Sequence, residues 1–274
     1  MQTNDSNLIP SEALIDEAHI GKGDFCGIGE GFVSRFFDRG WLCPDDVFVD
    51  IGCGLGRIAR SLVSRLSGKG QYLGFDVNKK SIEWCQEKYR HYNNFHFVWI
   101  DLFSVFYNPG SRREGTVRSR KGVQLEEGKA MPVHIHNASA FQFPLPRDSV
   151  DFVNLTSVFT HMLPRDVERY LTEIGRMLKP GKLCHITYFL VDPGSREAIV
   201  DASKQGRWHP IEHGYVRNQS VPEEMVLLDE KLVRDLYAKT GLLIEEMTYG
   251  NWFDRAGPTF GFQDIILASK SAQD

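Results

Sequence analysis

Five short apolar runs alternating with amphipathic stretches, then two extended runs with no helix between them, predict a doubly wound α/β fold. The expected sheet has seven strands, mostly parallel, with helices on both faces and an antiparallel last strand. A glycine-rich turn after the first run, and acids that close the second and third, mark the ligand site.

Val47–Ile51 is short and rich in β-branched and aromatic residues, the pattern of a buried strand. Ile58, Leu62, Val63 and Leu66 recur at helical spacing and predict a helix over 57–66. Residues 71–75, closed by Asp76, form the second strand, and a helix over 81–89 follows. The third strand is 95–100, ending at Asp101, and the fourth is 150–155. A helix over 166–178 is stopped by Lys179-Pro180-Gly181, since proline lacks the N–H a helix needs and glycine accepts turn dihedrals. The fifth strand is then 183–190. A helix near 229–239 precedes the extended runs 242–249 and 262–268.

No repeat at a fixed period is visible, which sets aside solenoids and propellers. With 274 residues, 42 % hydrophobic and 25 % charged, the chain is long enough for a core that needs no staple. The expected organisation is an N-terminal helical cap over 1–46 and a ligand-binding domain over 47–274, with an insertion at about 104–140. No window approaches the roughly 18 apolar residues of a membrane span, and the polar start from Met1 to Asn7 does not read as a signal peptide. Five cysteines, odd in number and without C-x-x-C, read as reduced thiols, so a cytoplasmic location is expected. A net charge of −4 argues against a broadly basic nucleic-acid surface. The insertion alone is basic, with Arg112, Arg113, Arg118, Arg120, Lys121 and Lys129 against Glu114, Glu126 and Glu127. It reads either as a solvated excursion or as a lid that attracts an acidic substrate.

The sharpest local signal is Asp50-Ile51-Gly52-Cys53-Gly54-Leu55-Gly56-Arg57. Glycines there let a ligand approach the main chain, and a helix start presents N–H groups to an anion. A dinucleotide turn, G-x-G-x-x-G, would need a small residue where Arg57 stands, and the Lys and Ser/Thr of a phosphate loop are absent. Asp76, twenty residues beyond Gly56, stands where a carboxylate accepts from both hydroxyls of a ribose. Asp101 repeats that position and can accept from the amine of adenine. An anion turn, a diol binder and an amine acceptor together describe an adenosine that carries an amino acid. S-adenosylmethionine fits.

The stretch 47–190 resembles the class I S-adenosylmethionine-dependent methyltransferases. The family's first motif appears as Val49-Asp50-Ile51-Gly52-Cys53-Gly54-Leu55-Gly56-Arg57, and its ribose acid as Asp76 in Gly74-Phe75-Asp76-Val77. Its fourth-strand motif appears as Asp148-Ser149-Val150-Asp151-Phe152-Val153, and its pre-strand turn as Leu178-Lys179-Pro180-Gly181. A subgroup, mostly bacterial, is also similar at Tyr107-Asn108-Pro109-Gly110, at Thr156-Ser157-Val158-Phe159-Thr160-His161-Met162 and at Gly261-Phe262-Gln263-Asp264-Ile265-Ile266. Lys182 replaces the usual second glycine after Pro180. The resemblance implies a Rossmann-like methyltransferase fold with S-adenosylmethionine as cofactor. It sets Asp50 and the Gly52, Cys53, Gly54, Gly56 and Arg57 turn against the methionine part, and Asp76 with Val77 against the ribose. Asp101 with Leu102 would face the adenine, and Leu155 with Thr156 would lie beside the sulfonium.

Methyl transfer is an in-line displacement in which alignment does much of the work. An acceptor hydroxyl also needs a base, and His161, which follows the fourth strand, is the first candidate. His209 and His213, after the fifth strand, are alternatives. Relatives that bind a divalent metal beside such a histidine do so through E-x-x-E-H; here Ser157 and Thr160 occupy the acid positions, so no metal is expected. Tyr249, Trp252, Phe253 and Arg255 either line an acceptor pocket or pack, and the segment Gly21-Lys22-Gly23-Asp24-Phe25 either caps the cofactor or is an ordinary helix start. The expected acceptor is an oxygen or nitrogen of a small molecule or glycan-like compound. Two other classes stay open: a cofactor-binding protein that senses S-adenosylmethionine or supports other chemistry, and a nucleic-acid methyltransferase. The latter lacks the Asn/Asp-Pro-Pro-aromatic signature of many base-methylating enzymes.

Overall fold

The computed structural model describes residues 5–18, 23–102, 133–134, 138–254, 259 and 261–272. The expected insertion with its basic residues, the Tyr107–Gly110 motif, Gly21, Lys22 and Arg255 lie outside the described residues, apart from 133–134 and 138–140 of the insertion. The chain divides into two compact units, one built on Met1–Asp101 and Val150–Asn154, the other on Ile135–Ser149 and Leu155–Asp274.

The first unit opens with α1 (Glu12–Glu17), capped by Ser11, and α2 (Phe25–Asp38), whose N-cap Asp24 accepts from the Cys26 N–H. Then come β1 (Val47–Ile51), α3 (Arg57–Leu62), β2 (Gln71–Asp76), α4 (Lys79–Lys88), β3 (Phe95–Asp101), β4 (Val133–His134) and β5 (Val150–Leu155). The strands lie in the order β5-β1-β2-β3-β4, and β1 to β4 pair parallel. Register puts Phe48 beside Tyr72 and Tyr72 beside Phe95, so aromatic rings line up on one face of the pleat. Phe36 from α2 meets Phe152 at 4.9 Å, Phe48 stacks on Phe152 at 5.5 Å, and Tyr89 closes the row against Phe97 at 4.8 Å. This aromatic band is the core of the unit, and each ring in it removes a large apolar area from water.

Gly74 sits in the middle of that band for a steric reason. A Cβ there would lie 2.9 Å from Cys53 Sγ and 3.0 Å from ring carbons of Phe97 and Tyr72. Gly74→Ala is expected to destabilise the protein by about 1–3 kcal/mol through overpacking, read as a lower Tm. An unchanged Tm would show that the rings shift aside freely.

The second unit carries α5 (Pro164–Met177), β6 (Leu178–Tyr188), β7 (Leu190–Val191), α6 (Arg196–Lys204), β8 (His209–Ile211), β9 (Gly214–Val216), β10 (Val226–Asp229), α7 (Glu230–Lys239), β11 (Leu242–Thr248) and β12 (Asp264–Lys270). β12 lies between β11 and β6 and is antiparallel to both, with an irregularity between Ile244 and Glu246. α5 buries Val167, Tyr170, Leu171, Ile174 and Met177 at helical spacing. Glu173 on the same helix is 2 % exposed yet ionisable. Arg169 and Arg176 flank it, it accepts the Phe143 N–H, and Arg176 also donates to the carbonyls of Phe143 and Leu145. A buried charge held this way is paired and fully hydrogen-bonded.

All seven expected strands are present, and the fold is the doubly wound, mostly parallel α/β class with a reversed last strand. Three local expectations change. α3 ends at Leu62, after which turns carry the chain to Leu66. β6 begins at Leu178, ahead of its pairing with β12, and Leu190–Val191 leaves it to join a different sheet. Where a loop was expected after the fifth strand, β7, β10, β9 and β8 form a second, four-stranded sheet around Phe189, Val191, Ile199, Trp208 and Leu227. His209 therefore lies in a strand, and His213 occupies the two-residue hairpin turn after it with φ 62°.

Candidate active site

The turn after β1 is shaped by glycine. Gly52, Gly54 and Gly56 have φ of 77°, 51° and 73°, the left-handed region that a side chain opposes. The Gly52 and Cys53 N–H groups both donate to the Phe75 carbonyl, at 2.7 and 3.1 Å, and Gly56 N–H donates to the Cys53 carbonyl at 2.9 Å. The Arg57 guanidinium lies over the Phe25 ring at 5.5 Å, tying the turn to α2. The thiols of Cys53 and Cys85 both contact the Gly54 carbonyl, and burial raises both above the ordinary thiol pKa. All five cysteines are free.

Asp50, at the end of β1, is 2 % exposed. Tyr72 donates to one carboxyl oxygen and Asn154 to the other, both at 2.8 Å. Burial outweighs these bonds and pushes its pKa up to about 7, with the charge of Asp76 adding to the rise.

Asp76 closes β2 and keeps part of its surface open. One oxygen accepts the Gly54 N–H at 2.7 Å and the other the Asn78 N–H at 2.7 Å. The Val77 N–H adds a weaker bond, and the carboxylate keeps acceptor capacity for a hydroxyl. Burial raises the Asp76 pKa, and the backbone N–H groups pull it back. The Val77 carbonyl accepts from the Trp99 indole at 3.0 Å, which braces the segment after the acid. Asp101, half-buried, ends β3; Leu102 follows it and is buried. Leu155 ends β5, fully buried, and Thr156 comes next, half-buried. The glycine turn, Asp76 and the strand-end acid Asp101 belong to one compact unit.

In the second unit the His161 Nδ1 lies 2.9 Å from the Glu223 carbonyl oxygen. A carbonyl only accepts, so Nδ1 carries the proton of the neutral ring, and the Glu224 backbone also bonds the imidazole. Burial lowers the His161 pKa. Asp166, in the first turn of α5, is pushed up to about 6 by burial and by the charge of Glu223. Among the described residues neither His209 nor His213 has a hydrogen bond to its ring; His213 has the 3.7 Å approach of Glu212 and stays exposed. Tyr249 donates to Glu230 on α7 and Trp252 donates to the buried Asp264, both at 2.7 Å, so each of these aromatics is tied down. Among the described residues no three His, Cys, Asp or Glu side chains gather as a metal site.

Sequence reasoning assigned no role to Tyr72, Asn154, Trp99, Asp166, Glu223 or Thr187. All of them act here through partners distant in the chain.

A doubly wound sheet with a glycine turn and strand-end acids is an architecture that accommodates nucleoside cofactors, and comparison with known proteins gives the class. The profile of a family described as "Methyltransferase domain" matches residues 30–224. The chain belongs to this family, the class I S-adenosylmethionine-dependent methyltransferases, enzymes whose cofactor is S-adenosylmethionine. It is similar to an S-adenosylmethionine-dependent methyltransferase from Methanosarcina mazei, with TM-score 0.52, 20 % identity and coverage of 86 % of this chain and 98 % of that one. A second, from Aquifex aeolicus, has TM-score 0.52 and 14 % identity over 98 % of this chain and 100 % of that one. Geranyl diphosphate C-methyltransferase from Streptomyces coelicolor, solved with Mg2+, geranyl-S-thiolodiphosphate and S-adenosylhomocysteine, has TM-score 0.50 and 12 % identity over 88 % of this chain and 75 % of that one. Ribosomal RNA small subunit methyltransferase A of Dehalococcoides mccartyi is 29 % identical over 89 residues, 32 % of this chain. The chain thus spans 30 % of the length of that curated relative. No helix among the described residues is long and apolar enough to cross a membrane.

Proposed function

We propose that this methyltransferase transfers its methyl group to an oxygen or nitrogen of a small-molecule or glycan-like acceptor, with His161 as general base. The observation that carries the reading is the Glu223 carbonyl bond, which orients the imidazole and puts the proton of its neutral form on Nδ1, on a ring whose pKa burial lowers. When bound, the cofactor supplies a methyl group already activated on a sulfonium. The Gly52–Gly56 main chain, with Cys53 and Arg57, holds the methionine end, anchored from beneath by Asp50 and its Tyr72 and Asn154 bonds. Asp76 and Val77 hold the ribose, Asp101 and Leu102 the adenine, and Leu155 and Thr156 flank the reacting centre. His161 takes the acceptor's proton as the methyl group arrives. His209 and His213 are assigned to the hairpin rather than to the step. Ser157 and Thr160 offer hydroxyls, not carboxylates, to a hard cation, so turnover is expected to survive a chelator. The net charge of −4 favours small acceptors over nucleic acid.

The test is release of S-adenosylhomocysteine with a panel of phenols, amines, carboxylates and sugars beside small-subunit ribosomal RNA. Salt-sensitive turnover on the RNA alone would replace this reading. Asp76→Ala is expected to weaken S-adenosylhomocysteine by about 1.5–3 kcal/mol, through lost charge-assisted hydrogen bonds. Unchanged affinity by calorimetry would remove Asp76 from the ribose.

A further inference from the structure

Three side chains from separate segments of the second unit meet beyond the strand ends. Ser157 stands two residues past β5, held at φ 61°, a conformation that non-glycine residues seldom adopt. Its N–H donates to Thr187 Oγ1, near the end of β6, at 2.8 Å. Gln263 precedes Asp264, which pairs with Tyr188 at the same end of β6. The hydroxyls of Thr187 and Ser157 both reach Gln263 Oε1, at 2.7 and 3.0 Å. The proton direction follows from the chain of bonds. Thr187 Oγ1 receives the Ser157 N–H, so its own proton is free to go to Gln263, and 2.7 Å is the usual length of an O–H···O bond but short for N–H···O.

Both lone pairs of the Gln263 carbonyl are therefore taken, which sets the orientation of the carboxamide and leaves its two N–H donors without a partner among the described residues. The neighbouring Phe262 is 61 % exposed, its ring packed edge-on against Phe189 at 5.8 Å. Gln263 reaches Thr187 and Phe262 reaches Phe189, two positions further on, so the donor pair and the open ring are anchored to neighbouring points: the donors suit an oxygen, the ring an apolar body. Asp264 keeps this surface stiff from behind, since its buried carboxylate accepts the N–H groups of Leu190, Gly250 and the Trp252 indole.

We propose that the Gln263 carboxamide, pinned by Ser157 and Thr187, orients the methyl acceptor, and that the acceptor carries a hydrogen-bond-accepting oxygen beside an apolar ring or chain that lies on Phe262. This rests on the methyl-transfer reading above and narrows its acceptor. Gln263 is a specificity-determining group, with no part in the chemical step.

The test uses the full chain loaded with S-adenosylhomocysteine and two probes of similar shape: benzoate, which has the accepting oxygens, and benzylamine, which lacks them. Saturation-transfer NMR titrations read both affinities, and calorimetry reads the nucleoside in the same samples. Benzoate is expected to bind the wild type, and Gln263→Leu to weaken it about tenfold while benzylamine and S-adenosylhomocysteine stay within about twofold. Thr187→Val, which keeps the carboxamide but removes one pin, is expected to weaken benzoate by a smaller factor. Phe262→Ala is expected to weaken both probes. Equal benzoate affinity in wild type and Gln263→Leu, or no benzoate binding to the wild type, overturns the proposal. Should Gln263→Leu fold poorly, Gln263→Glu decides, since a carboxylate repels benzoate and favours benzylamine; no such reversal also overturns it. A wild type that ignores S-adenosylhomocysteine would instead defeat the methyl-transfer reading.

Discussion

His161→Ala is expected to lower kcat by about two to four orders of magnitude, the usual range for removing a general base, while the Kd of S-adenosylhomocysteine stays within about twofold. The split follows from the division of roles. His161 is bonded to Glu223 and assigned to the acceptor's proton, whereas the glycine turn and Asp76 are assigned to the cofactor. The pH profile has a definite sign. Only the neutral ring accepts a proton, and burial moves its pKa below the ordinary histidine value of 6.5. Turnover therefore rises with pH through a midpoint below 6.5 and is flat above neutrality. Steady-state kinetics from pH 5 to pH 9 on wild type and variant would check both points. Loss of cofactor affinity in step with kcat would make His161 a structural residue.

The second large effect concerns stability. Asp50 titrates near 7 in the folded protein against 3.8 when exposed. For an acid whose folded pKa is raised, the folded state holds the proton more tightly. Its contribution to stability is then most favourable below the unfolded pKa, declines as pH rises between the two values, and is constant above the upper one. At 1.36 kcal/mol per unit the swing is on the order of 4 kcal/mol. Asn at position 50 cannot ionise, yet its amide can still bond Tyr72 and Asn154. Relative to wild type, Asp50→Asn should gain stability by that order between pH 4 and pH 8, whatever its offset at low pH. Parallel urea-unfolding curves for the two proteins across that range would mean that Asp50 stays charged throughout. Asp166, whose pKa is also raised, is common to both and cancels in the difference, whereas Asp76 is coupled to Asp50 by charge and titrates more readily once that charge is gone.

The strands of the main fold were legible because each is a run of β-branched and aromatic residues several positions long, punctuated by glycine or an acid. β7 to β10 were not, because strands of two to four residues carry too few positions to show a period. The site divides the same way. The glycine turn, Asp76 and Asp101 could be located by what precedes them in the chain. The embedding of Asp50 could not, since Tyr72 lies 22 positions away and Asn154 lies 104. His161 was visible as a histidine after a strand, while the carbonyl that sets its tautomer is 62 positions away. Gln263 sat within a recognisable motif, but its orientation depends on hydroxyls 76 and 106 positions distant. Periodicity reports on neighbours along the chain; pairing across it needs the fold.

Asp50, Tyr72 and Gly74 form one set, because the Tyr72 ring lies close over Gly74 and its hydroxyl reaches Asp50. Change the acid alone and a buried phenol is stranded; change the tyrosine alone and a buried carboxyl loses a donor; add a methyl at the glycine and the ring is displaced. The three positions on two adjacent strands are thus energetically coupled, and the cost of changing one depends on what stands at the other two.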